Sequence, residues 1–304
     1  MSVPSSWPTP AALRQGTPPA LQALLAAPAQ RSVAVLGLGR SGCAMASYWL
    51  GRQATVLGLD DAAEAAGRPA VRALQQRGMQ VMCGATTLPS CAALCLAPGV
   101  DPRHPLVRSA LQQGIPVGGE LAMGGVLPAP TVAVTGTNGK STTTALCAAL
   151  LAGYKRRVFI GGNFGPPILE CLEAAAPYDA LVLELSSYQL ETAYGFAPQV
   201  GVVLNVSPDH LERYRSLAHY AAAKAHLVWA VVPEGRVILN ADCALTRQMA
   251  TQARAEVWWF SARSDGLPGP GAYLEEDQLV PVGLLGRGPV PLQHPRLLGR
   301  HNRS

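Results

Sequence analysis

The sequence of 304 residues predicts an α/β protein built from two successive regions. Each region opens with a run of β-branched residues that reaches a glycine-rich turn and then a stretch of helical composition, first at "SVAVLGLGRSG" and again at "TVAVTGTNGKST". Further short apolar runs follow each turn and alternate with Gly/Pro punctuation, which is typical of strand–helix–strand units. Strands that alternate with helices favour a mainly parallel sheet in both regions.

The composition excludes several classes of function. The chain is 49% hydrophobic, and it has no uninterrupted apolar run of roughly 18 residues that could span a membrane. Its net charge of +5 is modest and unclustered, so no nucleic-acid partner is expected. The first residues lack the order of a secretory signal. We therefore expect a cytoplasmic protein without membrane insertion.

The domain boundaries are predicted from changes in composition. Residues 1–30, rich in proline and alanine, are expected to form a loose extension. The first domain is expected at 31–126 and the second at 127–298, with "LPAP" as the linker between them. Within the second domain, the chain from Glu256 onward reads as β-hairpins with little helix.

The first glycine turn has the G-x-G-x-x-G spacing, at Gly37, Gly39 and Gly42. A helix is expected from about Cys43, and the next strand ends at the acidic residue Asp60. This is the Rossmann dinucleotide-binding signature in its strand–helix–strand context. Taken alone it predicts an NAD-dependent oxidoreductase, which stays open as an alternative.

The second glycine turn, "TGTNGKST", predicts a phosphate-binding loop of P-loop type and hence an ATP-binding domain. Lys140 would reach the β- and γ-phosphates, and the Ser141 hydroxyl would be a Mg²⁺ ligand. Val134 stands where the strict motif has its first glycine. The predicted ATP-binding residues are Gly136, Thr137, Asn138, Gly139, Lys140, Ser141 and Thr142.

Other residues are candidates for the same site. Glu184 ends the apolar strand "ALVLE", where phosphate-loop enzymes place a metal-binding carboxylate. His210 leaves the next strand in "NVSPDHLERY". Lysine is scarce, because 21 of the 24 basic residues are arginine and only Lys140, Lys155 and Lys224 are lysine. Lysine kept in so arginine-rich a chain indicates a need for a primary amine at Lys140 and Lys224.

The chain resembles the Mur ligase family from about Val33 to Asn302. The resemblance rests on "GLGRSG", "APGVDPRHP", "AVTGTNGKSTTT", "GGNFGPP", "LELSSYQLE", "LNVSPDHLERY", "YAAAKAHL", "LNADC" and "GRHN", in that order. The most specific of these, "LELSSYQLE", is similar to the D-glutamate-adding branch of the family. The resemblance implies a cytoplasmic, monomeric, ATP-dependent ligase of peptidoglycan precursor synthesis that adds D-glutamate to UDP-N-acetylmuramoyl-L-alanine through an acyl phosphate.

The resemblance also implies site residues. Ser141 and Glu184 would hold one Mg²⁺, and His210 with a carbamylated Lys224 would hold a second. The first domain would bind the UDP of the substrate in place of NAD. The residues so implied for the UDP-substrate are Leu38, Gly39, Arg40, Ser41, Gly42, Asp60, Asn163, Ser186 and Gln189.

Members of the family continue into a third, Rossmann-like domain at the carboxyl end. The resemblance implies that this domain is missing here and that 299–304 is the start of the linker to it. A second function therefore stays open, in which the chain is a non-catalytic fragment that binds UDP-sugar and ATP.

Overall fold

A computed structural model of the chain describes residues 13, 15–123, 127–154, 156–263, 266–276, 278–283 and 288–291. These residues divide into two compact units. The first unit takes its residues from Met1–Pro128, Pro166–Ala176 and Tyr188–Phe196, and the second from Ala129–Gly165, Pro177–Ser187 and Ala197–Ser304. The predicted linker at 299–304 lies outside the described residues.

Strands and helices alternate over most of the described chain. The strands are β1 Ser32–Leu36, β2 Thr55–Asp60, β3 Gln80–Cys83, β4 Ala93–Leu96, β5 Val117–Gly118, β6 Thr131–Thr135, β7 Val158–Gly162, β8 Ala180–Glu184, β9 Val200–Val203, β10 Arg236–Asn240, β11 Glu256–Ser261, β12 Gly271–Glu275, β13 Gln278–Val282 and β14 Val290–Pro291. The α-helices are α1 Pro19–Ala26, α2 Arg40–Leu50, α3 Pro69–Gln76, α4 Pro105–Gln112, α5 Glu120–Met123, α6 Lys140–Gly153, α7 Ser187–Leu190, α8 Leu217–Ala230 and α9 Ala244–Met249. Short 3₁₀ helices lie at Ala63–Gly67, Ile168–Leu172 and Ala250–Gln252. Within this described part, every helix is too short or too polar to cross a lipid bilayer.

The first unit contains a sheet whose described strands are all parallel, in the order β3-β2-β1-β4-β5. Its central strand β1 is buried on both faces, because helices cover parallel sheets on both sides. The predicted α/β architecture with a Rossmann-like first domain is confirmed. Helix α2 begins at Arg40 rather than near Cys43, so the glycine turn leads into the helix with almost no intervening loop.

Part of the predicted loose extension at 1–30 is helical, since α1 spans Pro19–Ala26. Helix α1 has proline at its first position, where the missing N–H costs nothing. Leu21 and Leu24, at helical spacing, are 1% and 4% exposed. Both belong to the hydrophobic cluster that contains Val33 and Trp49. The structure corrects the prediction, because these two leucines anchor the helix in the core of the first unit.

Two segments from the middle of the chain also belong to the first unit. Pro166–Ala176 and Tyr188–Phe196 lie within the range 127–298 that the sequence assigns to the second domain. Leu169 and Tyr194 from these segments are buried in the same cluster as Trp49. The first unit is therefore discontinuous in sequence, which local patterns do not reveal.

The second unit contains a larger sheet, in the order β14-β13-β12-β11-β10-β9-β6-β8-β7 over the described residues. In this sheet order, neighbouring strands from β12 across to β7 at the edge of the sheet are all parallel. The pairs β12–β13 and β13–β14 are antiparallel. The mainly parallel sheet is confirmed. The predicted β-hairpin region from Glu256 needs correction at its start, because β11 pairs in parallel with both β10 and β12, and the hairpin begins only at β12.

Candidate active site

The second glycine turn connects β6 to α6 at the carboxyl edge of the sheet. Gly139 is the N-cap of α6 and has φ +84°, a left-handed conformation that favours glycine. Thr143 N–H donates to the Gly139 carbonyl at 3.0 Å, which closes the first turn of the helix. The backbone N–H groups of residues 140–142 come before this hydrogen bond. They have no acceptor within the helix, and they carry the positive end of the helix dipole. This loop is suited to bind a phosphate group.

Two lysine ammonium groups contact the carbonyl oxygens of this loop. Lys140 Nζ donates to the Thr137 carbonyl at 2.8 Å, and Lys224 Nζ donates to the Gly136 carbonyl at 2.8 Å. Lys224 is 1% exposed. The pKa of Lys224 is lowered to about 7, chiefly by burial and in addition by the nearby charge of Lys140, while Asp209 opposes both effects. Both lysines therefore contact one loop, whereas helix periodicity alone predicts a solvated side chain for Lys224.

Glu184 lies at the end of β8, next to β6, and is 2% exposed. Its Oε2 accepts a hydrogen bond from Ser141 Oγ at 2.6 Å, and its Oε1 accepts one from Asn163 Nδ2 at 2.7 Å. A carboxylate and a hydroxyl are oxygen ligands that Mg²⁺ prefers, and Mg²⁺ completes its shell with water and substrate phosphates. The residues present therefore fit a Mg²⁺ ion. Within the described ranges, no three His, Cys, Asp or Glu side chains converge as an alternative metal cluster.

His210 stands at the exit of β9 in a left-handed backbone conformation, with φ +53°. Its Nε2 lies 3.6 Å from Asp209 Oδ2, and its Nδ1 lies 3.5 Å from Glu212 Oε1. The ring centroids of His210 and Tyr220 are 6.1 Å apart, and Lys224 Nζ is 4.6 Å from the centroid of the same tyrosine ring. His210 and Lys224 thus flank one aromatic side chain.

Sequence reasoning missed Asn205, which follows β9 directly. Its Oδ1 accepts hydrogen bonds from the N–H groups of Thr137 and Asn138, at 3.1 and 2.9 Å. Its Nδ2 donates to the Asn138 carbonyl at 3.0 Å. Its position in the sequence could have indicated this contact. An amide side chain at the carboxyl end of a strand that neighbours the phosphate loop is close enough to contact that loop.

A cavity of about 340 Å³ opens beside the glycine loop. Leu146 and Phe260 supply apolar wall, and Asn240 and Asp242 supply polar wall. Asp242 is held in place by the Ser261 hydroxyl and the Ala262 N–H, both at 2.7 Å. A mixed apolar and polar cavity adjoining a phosphate loop has the size and character of a nucleoside site. The sequence did not predict it.

In the first unit, the other glycine turn is held by Asp60. Its Oδ2 accepts the Leu38 N–H at 2.7 Å, and its Oδ1 accepts the Ala62 N–H at 2.9 Å. The Arg68 guanidinium is 3.6 Å from Oδ2. A Cβ on Gly42 would overlap the Gly37 carbonyl oxygen, so the turn and the helix can approach only with glycine at this position.

The remaining candidates are distributed over both units. Leu38, Gly39, Arg40 and Ser41 form the first glycine turn and the first turn of α2. Ser186 follows β8 in the second unit, whereas Gln189 lies in the first unit and is 4% exposed.

The fold and the site define a protein of two α/β units, one with a dinucleotide-type glycine turn and one with a P-loop-type turn beside a buried carboxylate. The chain matches the model of the Mur ligase middle domain over residues 134–286 and that of the "Mur ligase MurD-like, N-terminal domain" over residues 31–119. The chain belongs to the Mur ligase family.

Relatives share the sequence over most of this chain. It is 34% identical over 279 residues to a UDP-N-acetylmuramoylalanine--D-glutamate ligase of Koribacter versatilis (strain Ellin345), and 38% identical over 292 residues to the enzyme of that name from Anaeromyxobacter dehalogenans (strain 2CP-C). Each alignment covers 90% of this chain and 61% of the relative. The chain therefore spans about three fifths of the length of these relatives.

A solved structure shares the fold. The crystal structure of UDP-N-acetylmuramate:L-alanyl-gamma-D-glutamyl-meso-diaminopimelate ligase from Neisseria meningitides matches with a TM-score of 0.56 at 19% identity, over 90% of each chain. At this level of identity the match shows the fold alone.

Proposed function

We propose that this chain carries the nucleotide-binding parts of an ATP-dependent ligase that joins D-glutamate to UDP-N-acetylmuramoyl-L-alanine, in the synthesis of peptidoglycan precursors. The observation that carries the reaction class is the cluster of Lys140, Ser141 and Glu184 around one phosphate loop. The relatives at 34% and 38% identity, both named D-glutamate ligases, support the substrate.

The proposed reaction has two steps. A carboxylate oxygen of the UDP-linked substrate attacks the γ-phosphorus of ATP, the bond from that phosphorus to the ADP oxygen breaks, and an acyl phosphate forms. The amine of D-glutamate then attacks the carbonyl carbon and loses a proton, and inorganic phosphate leaves. Phosphorylation is needed because a carboxylate is otherwise a poor acylating agent.

The chain's own groups bind and orient the triphosphate. The unpaired N–H groups in the first turn of α6 bind phosphate oxygens, and Lys140 moves its ammonium group from the Thr137 carbonyl to the γ-phosphate. Ser141 and Glu184 would hold Mg²⁺, which would offset the negative charge that keeps the carboxylate and the triphosphate apart. Asn163 holds Glu184 by its second carboxylate oxygen and fixes its orientation.

Lys224 is proposed to carry a carbamate. A pKa of about 7 leaves much of this amine neutral at physiological pH, and the neutral amine is the form that reacts with CO₂. The carbamate would turn a buried cation into an anion, which with His210 would hold a second Mg²⁺.

We further propose that the ligase acts as a monomer.

The first glycine turn is proposed to bind the UDP group through the first turn of α2, at Arg40 and Ser41. Asp60 shapes this turn, because each of its carboxylate oxygens accepts a backbone N–H group of the turn. Each oxygen keeps acceptor capacity for a ribose hydroxyl of the UDP group. The oxidoreductase alternative is disfavoured because it leaves the Lys140 and Glu184 cluster of the second unit without a role.

The test is release of ADP by the purified chain with ATP, Mg²⁺ and UDP-N-acetylmuramoyl-L-alanine, with and without D-glutamate. Turnover that D-glutamate stimulates and that Lys140→Ala abolishes would support the ligase. Lys155→Ala, which removes the one lysine outside the proposed site motifs, is the matched control and should leave turnover unchanged. Stimulation by other amino acids in place of D-glutamate would contradict the proposed substrate.

The second candidate function is binding of ATP and UDP-sugar without turnover. The observation that favours it is that the Lys140 ammonium group is bonded to the Thr137 carbonyl and the Glu184 carboxylate to Ser141, so both groups are engaged within the chain itself. Calorimetry with ATP and with the UDP-linked substrate separates the two proposals. Binding of both ligands without ADP release would support the non-catalytic function, and absence of ATP binding would contradict both.

A further inference from the structure

We propose that Asn205 is a positioning residue that fixes the phosphate loop and, through it, the Nζ atoms of Lys140 and Lys224 in the nucleotide-free chain. This inference rests on the proposed function of the loop as an ATP site. Asn205 makes three side-chain hydrogen bonds to the loop, two accepted by Oδ1 from Thr137 and Asn138 and one donated by Nδ2 to the Asn138 carbonyl. The roles proposed above for the residues of this site do not account for these three hydrogen bonds.

The sheet brings the two segments together. Strand β9 pairs in parallel with β6 as far as Thr135 and Val203, so the chain leaves both strands at the same edge. Asn205 also accepts the Thr137 N–H on its own carbonyl at 3.0 Å. Two residues further on, Ser207 N–H donates to Thr137 Oγ1 at 3.1 Å. The segment after β9 therefore runs along the phosphate loop and is bonded to it at several atoms.

The planarity of the peptide bond links Asn205 to the lysines. In a trans peptide the C=O and the following N–H point in opposite directions. In the peptide between Gly136 and Thr137, the N–H is bonded to Asn205 and the C=O to Lys224 Nζ. In the next peptide, between Thr137 and Asn138, the N–H is bonded to Asn205 and the C=O to Lys140 Nζ.

Asn205 and the lysines therefore hold opposite ends of two successive peptides. Without the Asn205 side chain, the peptide between Thr137 and Asn138 can rotate, and the carbonyl that orients Lys140 moves with it. The peptide between Gly136 and Thr137 keeps one bond, from its N–H to the carbonyl of residue 205, and is held less tightly than before. The same contacts engage the N–H groups of Thr137 and Asn138, so the phosphates are left to the N–H groups at the start of α6 and to the lysines. Asparagine is needed here because it both accepts and donates, whereas aspartate only accepts and leucine does neither.

The first measurement is amide hydrogen exchange of Thr137 and Asn138 in the nucleotide-free chain. We expect both amides to be protected, and Asn205→Leu to accelerate exchange of the Asn138 amide by about tenfold, the effect of losing one ordinary hydrogen bond. The Thr137 amide should respond less, because it keeps its bond to the backbone carbonyl of residue 205. Gln199→Leu is the matched control, since Gln199 Oε1 accepts the Thr131 N–H at 2.7 Å at the other end of β6. Unprotected Thr137 and Asn138 amides in the unmodified chain, or equal rates in Asn205→Leu, would overturn the proposal.

The second measurement compares the affinities for ATP and adenosine by calorimetry in the unmodified chain, Asn205→Asp, Asn205→Leu and Gln199→Leu. We expect both Asn205 variants to weaken ATP binding by about tenfold or more and adenosine binding by a clearly smaller factor. Asn205 lines the cavity proposed for the nucleoside, but its hydrogen bonds hold the loop that binds the phosphates. Equal losses for both ligands would mean a purely structural role and would overturn the positioning role. If the unmodified chain bound adenosine and ATP equally, the proposed function would fail, and the exchange rates would still decide whether Asn205 holds the loop.

Discussion

Lys224 is the residue whose chemistry departs most from its usual state. Its ammonium group is buried against a carbonyl and an aromatic ring, and burial with the nearby Lys140 charge lowers its pKa to about 7. A lysine with its ordinary pKa would be almost entirely protonated at pH 8 and would react slowly with CO₂. For the carbamate proposed on Lys224, arginine, which does not lose its proton, would not serve at this position.

We predict that the chain incubated with ¹³C-bicarbonate at pH 8 shows a carbamate resonance in its ¹³C spectrum. The signal should fall as the pH is lowered from 8 to 6, because the amine becomes protonated below a pKa of about 7. Lys224→Arg should abolish it, whereas Lys155→Arg should not. A signal that survives in Lys224→Arg, or none in the unmodified chain at pH 8, would contradict the assignment.

Glu120 is a second residue whose protonation is displaced by burial. It is 1% exposed, and its Oε1 accepts the Leu169 N–H at 3.0 Å. Burial raises its pKa to about 7, although hydrogen bonds from the backbone of Leu169 and Ile168 and from the Ser41 side chain oppose the effect. The folded state thus holds a proton that the unfolded chain releases near pH 4.5.

Glu120 should therefore make the folded state less stable as the pH rises. Its contribution is complete below about pH 4.5 and is lost as the pH passes through 7, with a total on the order of 3 kcal/mol. We predict that Glu120→Gln, which cannot ionise, is more resistant to urea than the unmodified chain at pH 8 and about equal to it at pH 5. Parallel pH profiles of the two proteins would exclude this role.

At the scale of the element, the first glycine turn depends on one close approach. Glycines 39 and 42 belong to the same motif, but they face different surroundings. A Cβ at Gly42 would collide with the Gly37 carbonyl, whereas a Cβ at Gly39 would meet no atom within 4 Å. The motif predicts glycine at both positions. Only the packing of α2 against the turn shows that the close approach requires glycine at position 42 and not at position 39.

We predict that Gly42→Ala lowers the free energy of unfolding by about 1–3 kcal/mol or more, because the carbonyl and the helix must move apart. Gly39→Ala is the matched control, and its effect should stay within about 0.5 kcal/mol. Thermal denaturation of both variants checks the prediction. Equal destabilisation would show that the turn does not require the approach at Gly42.

At the scale of the whole molecule, the first unit draws part of its core from the middle of the chain. Leu169, 1% exposed, lies in the cluster that contains Trp49. We predict that Leu169→Ala lowers the stability of the first unit by about 2–5 kcal/mol, as buried leucines do. Amide exchange should accelerate in β1 and not in β8. The control is Leu150→Ala, which should change stability little because Leu150 is 68% exposed. Acceleration of amide exchange confined to β8 in Leu169→Ala would assign Leu169 to the second unit.

Much of the architecture could be predicted because it depends on local sequence patterns. Runs of β-branched residues predicted the strands, and glycines followed by Lys140 and Ser141 predicted the phosphate loop. Glu184 was found because a strand end beside such a loop is a defined place. Asn205 and Glu120 could not be found in this way. Their roles depend on which backbone groups the folded chain brings to them, and an isolated asparagine or glutamate carries no such signal.

The discontinuity of the first unit has a consequence for the order of synthesis. When residue 128 has been added, β1 to β5 exist, but Leu169 and Tyr194 do not. At roughly 5–20 residues per second, several seconds pass before Phe196 is made. During that time β6, the phosphate loop and β8 are also synthesised, while the apolar core of the first unit lacks two of its members. The first unit therefore keeps apolar surface uncovered until the segments that carry Leu169 and Tyr194 have been made.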